Sequence, residues 1–125
     1  MDYSNLCQRV MDLDAGIRFA GICDNTGENV YGGQRIGVKN ILSKEETRQA
    51  NLQALATWTL YLPLELKVGR GKYAMVEFEK IKRITVPLDK EHLLVVTTEV
   101  DIDHEKIIKA ILNFRTSDSQ PSQLC

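Results

Sequence analysis

The chain has 125 residues, 43% hydrophobic and 26% charged, with a net charge of −1. That length supplies one core, and the composition is that of a globular protein, not of a disordered one. A near-zero charge gives no global field toward nucleic acid or an anionic membrane, and no apolar run approaches the roughly 18 residues of a membrane span.

In chain order, Tyr3, Leu6, Cys7, Val10 and Met11 draw one apolar stripe and predict a short helix. Residues 17–24 (IRFAGICD) read as a strand, and Asn25-Thr26-Gly27-Glu28 as a turn. Residues 29–33 (NVYGG) return as its partner, so a hairpin is predicted over 17–33. A loop follows. Ser43-Lys44-Glu45-Glu46 is then a capping box opening a long helix, the Ser oxygen and Glu46 each satisfying a free backbone N–H. Two apolar tracks run along that helix: Leu52, Leu55, Ala56, Thr59, Leu62 and Leu66, and a second of Ala50, Ala54, Trp58 and Tyr61. The first is expected to face the chain's own sheet. One sheet needs only one stripe, so the second is expected to meet a partner. Pro63 lacks an N–H and crowds the Thr59 carbonyl, which predicts a kink or an early helix end.

Three strands come next, at 73–78 (YAMVEF), 81–88 (IKRITVPL) and 92–98 (HLLVVTT). The last is nearly continuous in apolar residues, as in a central strand covered on both faces. Asp101 or Asp103 should cap a final helix with the stripe Ile107, Ile108, Ile111 and Leu112. The unit is therefore read as one domain over 1–115, with the polar segment 116–125 expected to be a disordered tail.

Charge is uneven along the chain: residues 67–83 hold six basic groups against two acids, and 84–108 hold six acids against two bases. Solvated rims account for both blocks. Gly69-Arg70-Gly71-Lys72 looks like a phosphate loop, but it leaves a helix and enters a strand, so it reads as a turn. Asp101, Asp103, His104 and Glu105 bunch possible metal donors; without a further ligand at zinc-like spacing they read as a helix cap. His92 opens a strand and has no nucleophile beside it in sequence. Cys7, Cys23 and Cys125 form neither a metal knuckle nor an even disulfide set, which points to a reducing, cytoplasmic setting. The aromatics do not interleave with bases as a nucleic-acid platform requires.

The order helix, hairpin, long helix, three-stranded meander, helix resembles the roadblock-type dynein light-chain superfamily. The hairpin IRFAGICDNTGENV carries this resemblance, with its turn at Asp24 and Gly27, as do the strand IKRITVPL and the run HLLVVTTEVDIDHEKIIKAIL. It covers residue 3 to about 115, and a group of uncharacterised archaeal proteins shares the same hairpin and the V-P-L and LLVV pair. The resemblance implies an α-β-β-α-β-β-β-α fold of the profilin-like type. Its five-stranded antiparallel sheet would carry the long helix on one face and two helices on the other. It also implies pairing, two copies setting their long helices side by side and their third strands edge to edge. Some members regulate small Ras-like GTPases. Pro63 departs from the superfamily's usual long helix.

On this reading the protein is a non-enzymatic interaction or scaffold module that pairs with itself or a paralogous subunit. A small GTPase is a further candidate partner, and no cofactor is implied. The candidate interface is Ala50, Ala54, Trp58 and Tyr61 on the helix, with Tyr73, Met75 and Glu77 on the edge strand. The alternative is a small-molecule sensor of PAS or profilin type, with a ligand pocket between the long helix and the sheet.

Overall fold

A computed structural model describes residues 2–123, with side chains to residue 116. Its elements are α1 (Tyr3–Met11), β1 (Ile17–Cys23), β2 (Asn29–Gln34), α2 (Lys44–Val68), β3 (Ala74–Glu77), β4 (Lys82–Pro87), β5 (Leu93–Thr98) and α3 (His104–Gln123). The predicted α-β-β-α-β-β-β-α order is the observed one. The strands form one antiparallel sheet in the order β2-β1-β5-β4-β3. As its apolar run predicts, β5 lies at the centre. The short strands β2 and β3 form the two edges.

Local chemistry accounts for the element ends. Asp24 turns the hairpin, its Oδ1 accepting the Thr26 backbone N–H at 2.9 Å, and Gly27 supplies the positive φ of 85°. At the start of α2 both halves of the capping box are present: Glu46 N–H donates to Ser43 Oγ at 3.0 Å, and Ser43 N–H to Glu46 Oε1 at 2.9 Å. Asp103 caps α3, accepting the Lys106 N–H at 3.1 Å. Helical backbone in α3 continues to Gln123, into the segment that the sequence reads as a tail.

Pro63 does not end α2. The helix runs five residues further, to Val68, and closes where the Gly69 N–H donates to Glu65 O at 3.0 Å. Residues 59–64 are all exposed, so solvent can take the Thr59 carbonyl that Pro63 leaves without a donor.

The two sheet faces differ in how fully they are covered. Between the sheet and α1 with α3 lies a large core of Leu6, Val10, Ile22, Ile84, Val86, Leu94, Val96, Ile107 and Ile111, among others. Beneath α2 the enclosed hydrophobic residues among those described are Cys23, Leu93 and Val95, with Phe19, Ala54, Leu55 and Trp58 packed against them. Helix α2 is thus held at its N-terminal half and extends past what its own sheet covers.

Candidate interaction surface

The anchored half of α2 is built around Asn51, which is wholly buried. Its Nδ2 donates to Gly27 O at 2.9 Å and to Asn29 Oδ1 at 3.3 Å, and its Oδ1 accepts Arg83 Nη2 at 2.6 Å. One amide therefore ties helix, hairpin turn and β4 together. Burial pushes the Arg83 guanidinium below the usual arginine range. Among the described residues Arg83 makes only that one hydrogen bond and pairs with no carboxylate. Two turns along α2, the Trp58 Nε1–H donates to Thr85 Oγ1 at 3.1 Å. Trp58 also lies so close to Gly71 that a Cβ there would fall 2.3 Å from Cζ3, so this glycine is needed for the approach.

These contacts change the predicted division of the helix. Ala54 and Trp58 belong to the track expected to face outward, yet both pack on the chain's own sheet. Leu62 and Leu66 belong to the track expected to face the sheet, yet they are 56% and 90% exposed. A long helix parts from a twisted sheet along its length, so a single track is buried at one end and free at the other.

The register of β3 with β4 divides its side chains between the faces. Ala74 opposes Thr85 and Val76 opposes Arg83, the residues beneath α2, whereas Met75 opposes Ile84 of the other core. Met75 and Glu77 therefore point away from α2, Glu77 pairing with Lys82 at 3.3 Å. Tyr73, just before the strand, is exposed. On the α2 side, a groove of about 340 Å³ has Ala74, Val76, Phe78, Arg83 and Thr85 as its floor. Its wall is Ala50, Gln53, Ala54, Thr57 and Trp58.

Of the seven candidate interface residues, the groove gathers Ala50, Ala54 and Trp58, Tyr61 projects beyond it, and Met75 and Glu77 lie on the opposite face. Sequence reasoning missed Val76, Phe78 and Arg83. Strand alternation does set Val76 and Phe78 apart from Met75 and Glu77, but only the register shows which set meets α2. Past the groove, Leu60, Tyr61, Leu62, Leu64, Leu66 and Val68 are all exposed. Together they make an exposed apolar stretch rather than single surface leucines.

Other residues with candidate chemistry have structural roles. His104 is buried, its Nε2 2.7 Å from Thr98 Oγ1 and its Nδ1 3.5 Å from Lys82 Nζ. His92 Nδ1 lies 3.0 Å from Asp89, whose carboxylate also accepts the Tyr3 hydroxyl. This contact fastens α1 to the β4–β5 turn. Gly69 caps α2, and Arg70 Nη2 donates to Leu88 O at 3.1 Å, as a turn and not a phosphate loop requires. Among the described residues no helix is long and apolar enough to cross a membrane.

An antiparallel five-stranded sheet with a long helix on one face and two on the other is the fold of roadblock/LC7 domains. The gliding protein MglB from Thermus thermophilus superposes with a TM-score of 0.68 at 11% identity, over 90% of this chain and 81% of that one. A roadblock/LC7 domain from Streptomyces avermitilis superposes at 0.66 and 11% identity, over the whole of both chains. MglB with a tetrameric arrangement gives 0.62 at 11%, over 90% of this chain and 87% of that one. At such identities the likeness is one of fold. No family model matches the chain, and no curated protein matches it in sequence.

Proposed function

We propose that the protein is a non-enzymatic interaction module, residues 1–115 forming the working unit, which pairs with a second copy or a paralogous subunit. The observation that carries this is the free half of α2. Leu64 and Val68 are 56% and 81% exposed, next to a sheet edge where Val76 and Phe78 are each 52% exposed. Water contact at these groups costs about 25 cal/mol per Å² of apolar surface, which pairing would recover. The fold supports the reading because MglB, which shares it, occurs in a tetrameric arrangement.

Candidate interface residues are Ala50, Ala54, Trp58 and Tyr61, with Tyr73 just before β3 and Met75 and Glu77 on the face of β3 away from α2. The paired unit would then present a docking surface, for which a small Ras-like GTPase is the partner class that the sequence resemblance suggests. Sedimentation velocity at tens of micromolar tests the pairing. A dimer is expected, and a clean monomer would overturn the self-pairing reading. The sensor alternative has one observation in its favour, since 340 Å³ lies within the range of ligand clefts. The half-exposed floor suits partner side chains better than an enclosed ligand.

A further inference from the structure

A second cavity lies at the opposite end of α2 from Leu64 and Val68, between the start of that helix and the sheet. Its floor is a cross-strand row. Gln34, Phe19, Thr97 and Arg83 stand opposite one another on β2, β1, β5 and β4, so their side chains share the face that α2 covers. Arg18 joins them through a β-bulge. Ile17 opposes Thr98 and Phe19 opposes Thr97, so β1 has one residue more than β5 at this point. Ala20 and Ile22 belong to the core under α1 and α3, and strict alternation would send Arg18 to the same side. Ile17 takes that side instead, and Arg18 lines the cavity with Arg83.

The two arginines are not equally matched in charge. Arg18 donates from Nη1 to Glu99 Oε1 and from Nη2 to Lys39 O, both at 2.8 Å. Arg83 donates from Nη2 to the neutral Asn51 oxygen at 2.6 Å, and its Nε and Nη1 donate to no described residue. The Thr97 hydroxyl likewise makes no hydrogen bond among the described residues. None of the lining residues is an acid. One positive charge is therefore left uncompensated, with a hydroxyl on the neighbouring strand and donors to spare.

Size and wall chemistry narrow what could compensate it. The cavity has a volume of about 50 Å³, room for three or four water-sized atoms at roughly 10–15 Å³ each. Beyond the polar row its walls are Ile41, Leu42, Ile81 and Val95. Phosphate brings nearly two negative charges and an oxygen on every side, which apolar walls do not satisfy. A carboxylate brings one charge, concentrates its acceptors at one end and suits the planar guanidinium.

We propose that this cavity binds a free short-chain monocarboxylate of the size of acetate or propionate. Its carboxylate accepts from Arg83 and Thr97, and its apolar end packs against Ile41, Ile81 and Val95. Asn51 keeps all its bonds. The bulge at Arg18 adds a second guanidinium whose own charge Glu99 already balances.

The test is a titration of the full nitrogen-15-labelled chain with sodium acetate and sodium propionate at pH 7, ionic strength held constant with NaCl, followed by NMR. The amides of Ile81, Arg83 and Thr97 should shift and saturate with a dissociation constant of about 0.1–10 mM, the range open to four or five atoms. Hexanoate, too long for the cavity, and inorganic phosphate should each bind at least about tenfold more weakly. Arg83→Met should abolish saturation. Because that variant also loses a bond to Asn51 and could fail to fold, Thr97→Val is the second probe. It keeps the shape and the cation, and should weaken acetate several-fold. Shifts still linear at about 50 mM, or acetate binding unchanged in a folded variant, would overturn the site. Tighter binding of phosphate than of acetate would overturn the carboxylate assignment. The cavity lies away from the exposed half of α2, so saturation is expected of a monomer or a dimer alike, and the pairing reading stands or falls separately.

Discussion

Asn51→Ala should be among the most destabilising single changes in this chain, although it removes no apolar contact. The side chain makes two neutral hydrogen bonds, to Gly27 O and Asn29 Oδ1, and one charge-assisted bond from Arg83. Neutral bonds contribute about 1 kcal/mol each and a charged one about 2, so roughly 4 kcal/mol is at stake when a buried cation is left behind. Against a typical total of 5–15 kcal/mol, this would lower the urea midpoint by about 2 M for a slope near 2 kcal/mol/M. The assay is urea unfolding followed by far-UV circular dichroism. Arg83→Met provides the control, because removing the cation leaves only an amide oxygen unsatisfied and should cost about half as much. Once Arg83 is gone, Asn51→Ala no longer isolates a charge, so the double variant should be less destabilised than the sum of the two singles. A loss under about 1 kcal/mol for Asn51→Ala, or strict additivity, would refute the reasoning.

Gly32→Ala should lower stability by about 2 kcal/mol or more, read as a drop in melting temperature, since φ is +72° and a Cβ would sit 2.2 Å from Ala20 O. Trp58→Glu should destabilise the fold itself, because Trp58 packs against the cluster of Cys23, Leu93 and Val95, whereas Leu64→Glu should weaken pairing at nearly unchanged melting temperature. Circular dichroism with sedimentation separates the two. Burial pushes the Cys7 and Cys23 thiols up to about 11 from 9.0. The unfolded chain therefore releases these protons first, and stability should fall as pH rises from about 9 to 11, with no thiol contribution below that window. Urea midpoints at pH 7, 9 and 10.5 check this, and the Cys7→Ala, Cys23→Ala variant should show a flatter profile.

Much of the architecture was legible from local chemistry. The Ser43–Glu46 box, the hairpin turn at Asp24–Gly27, the Asp103 cap and the apolar run of β5 each depend on residues a few positions apart, so the sequence displays them directly. Of the kink or early end expected at Pro63, the early end did not occur: the lost hydrogen bond falls on an exposed stretch where solvent can replace it.

The interaction surface was only half legible. The sequence shows that α2 carries more apolar surface than one sheet needs, and this excess is a property of composition and periodicity alone. Which residues are left over depends on where a long helix parts from a twisted sheet, and which face of β3 they meet depends on its pairing with β4. Those are relations between segments distant in the chain. Ala54 and Trp58 thus turned inward, Met75 and Glu77 turned to the far face, and Arg83 emerged beside Asn51, thirty-two residues away. Local bonding set the elements by sequence alone; long-range register and helix placement, decided only in the tertiary structure, chose the residues left open to a partner.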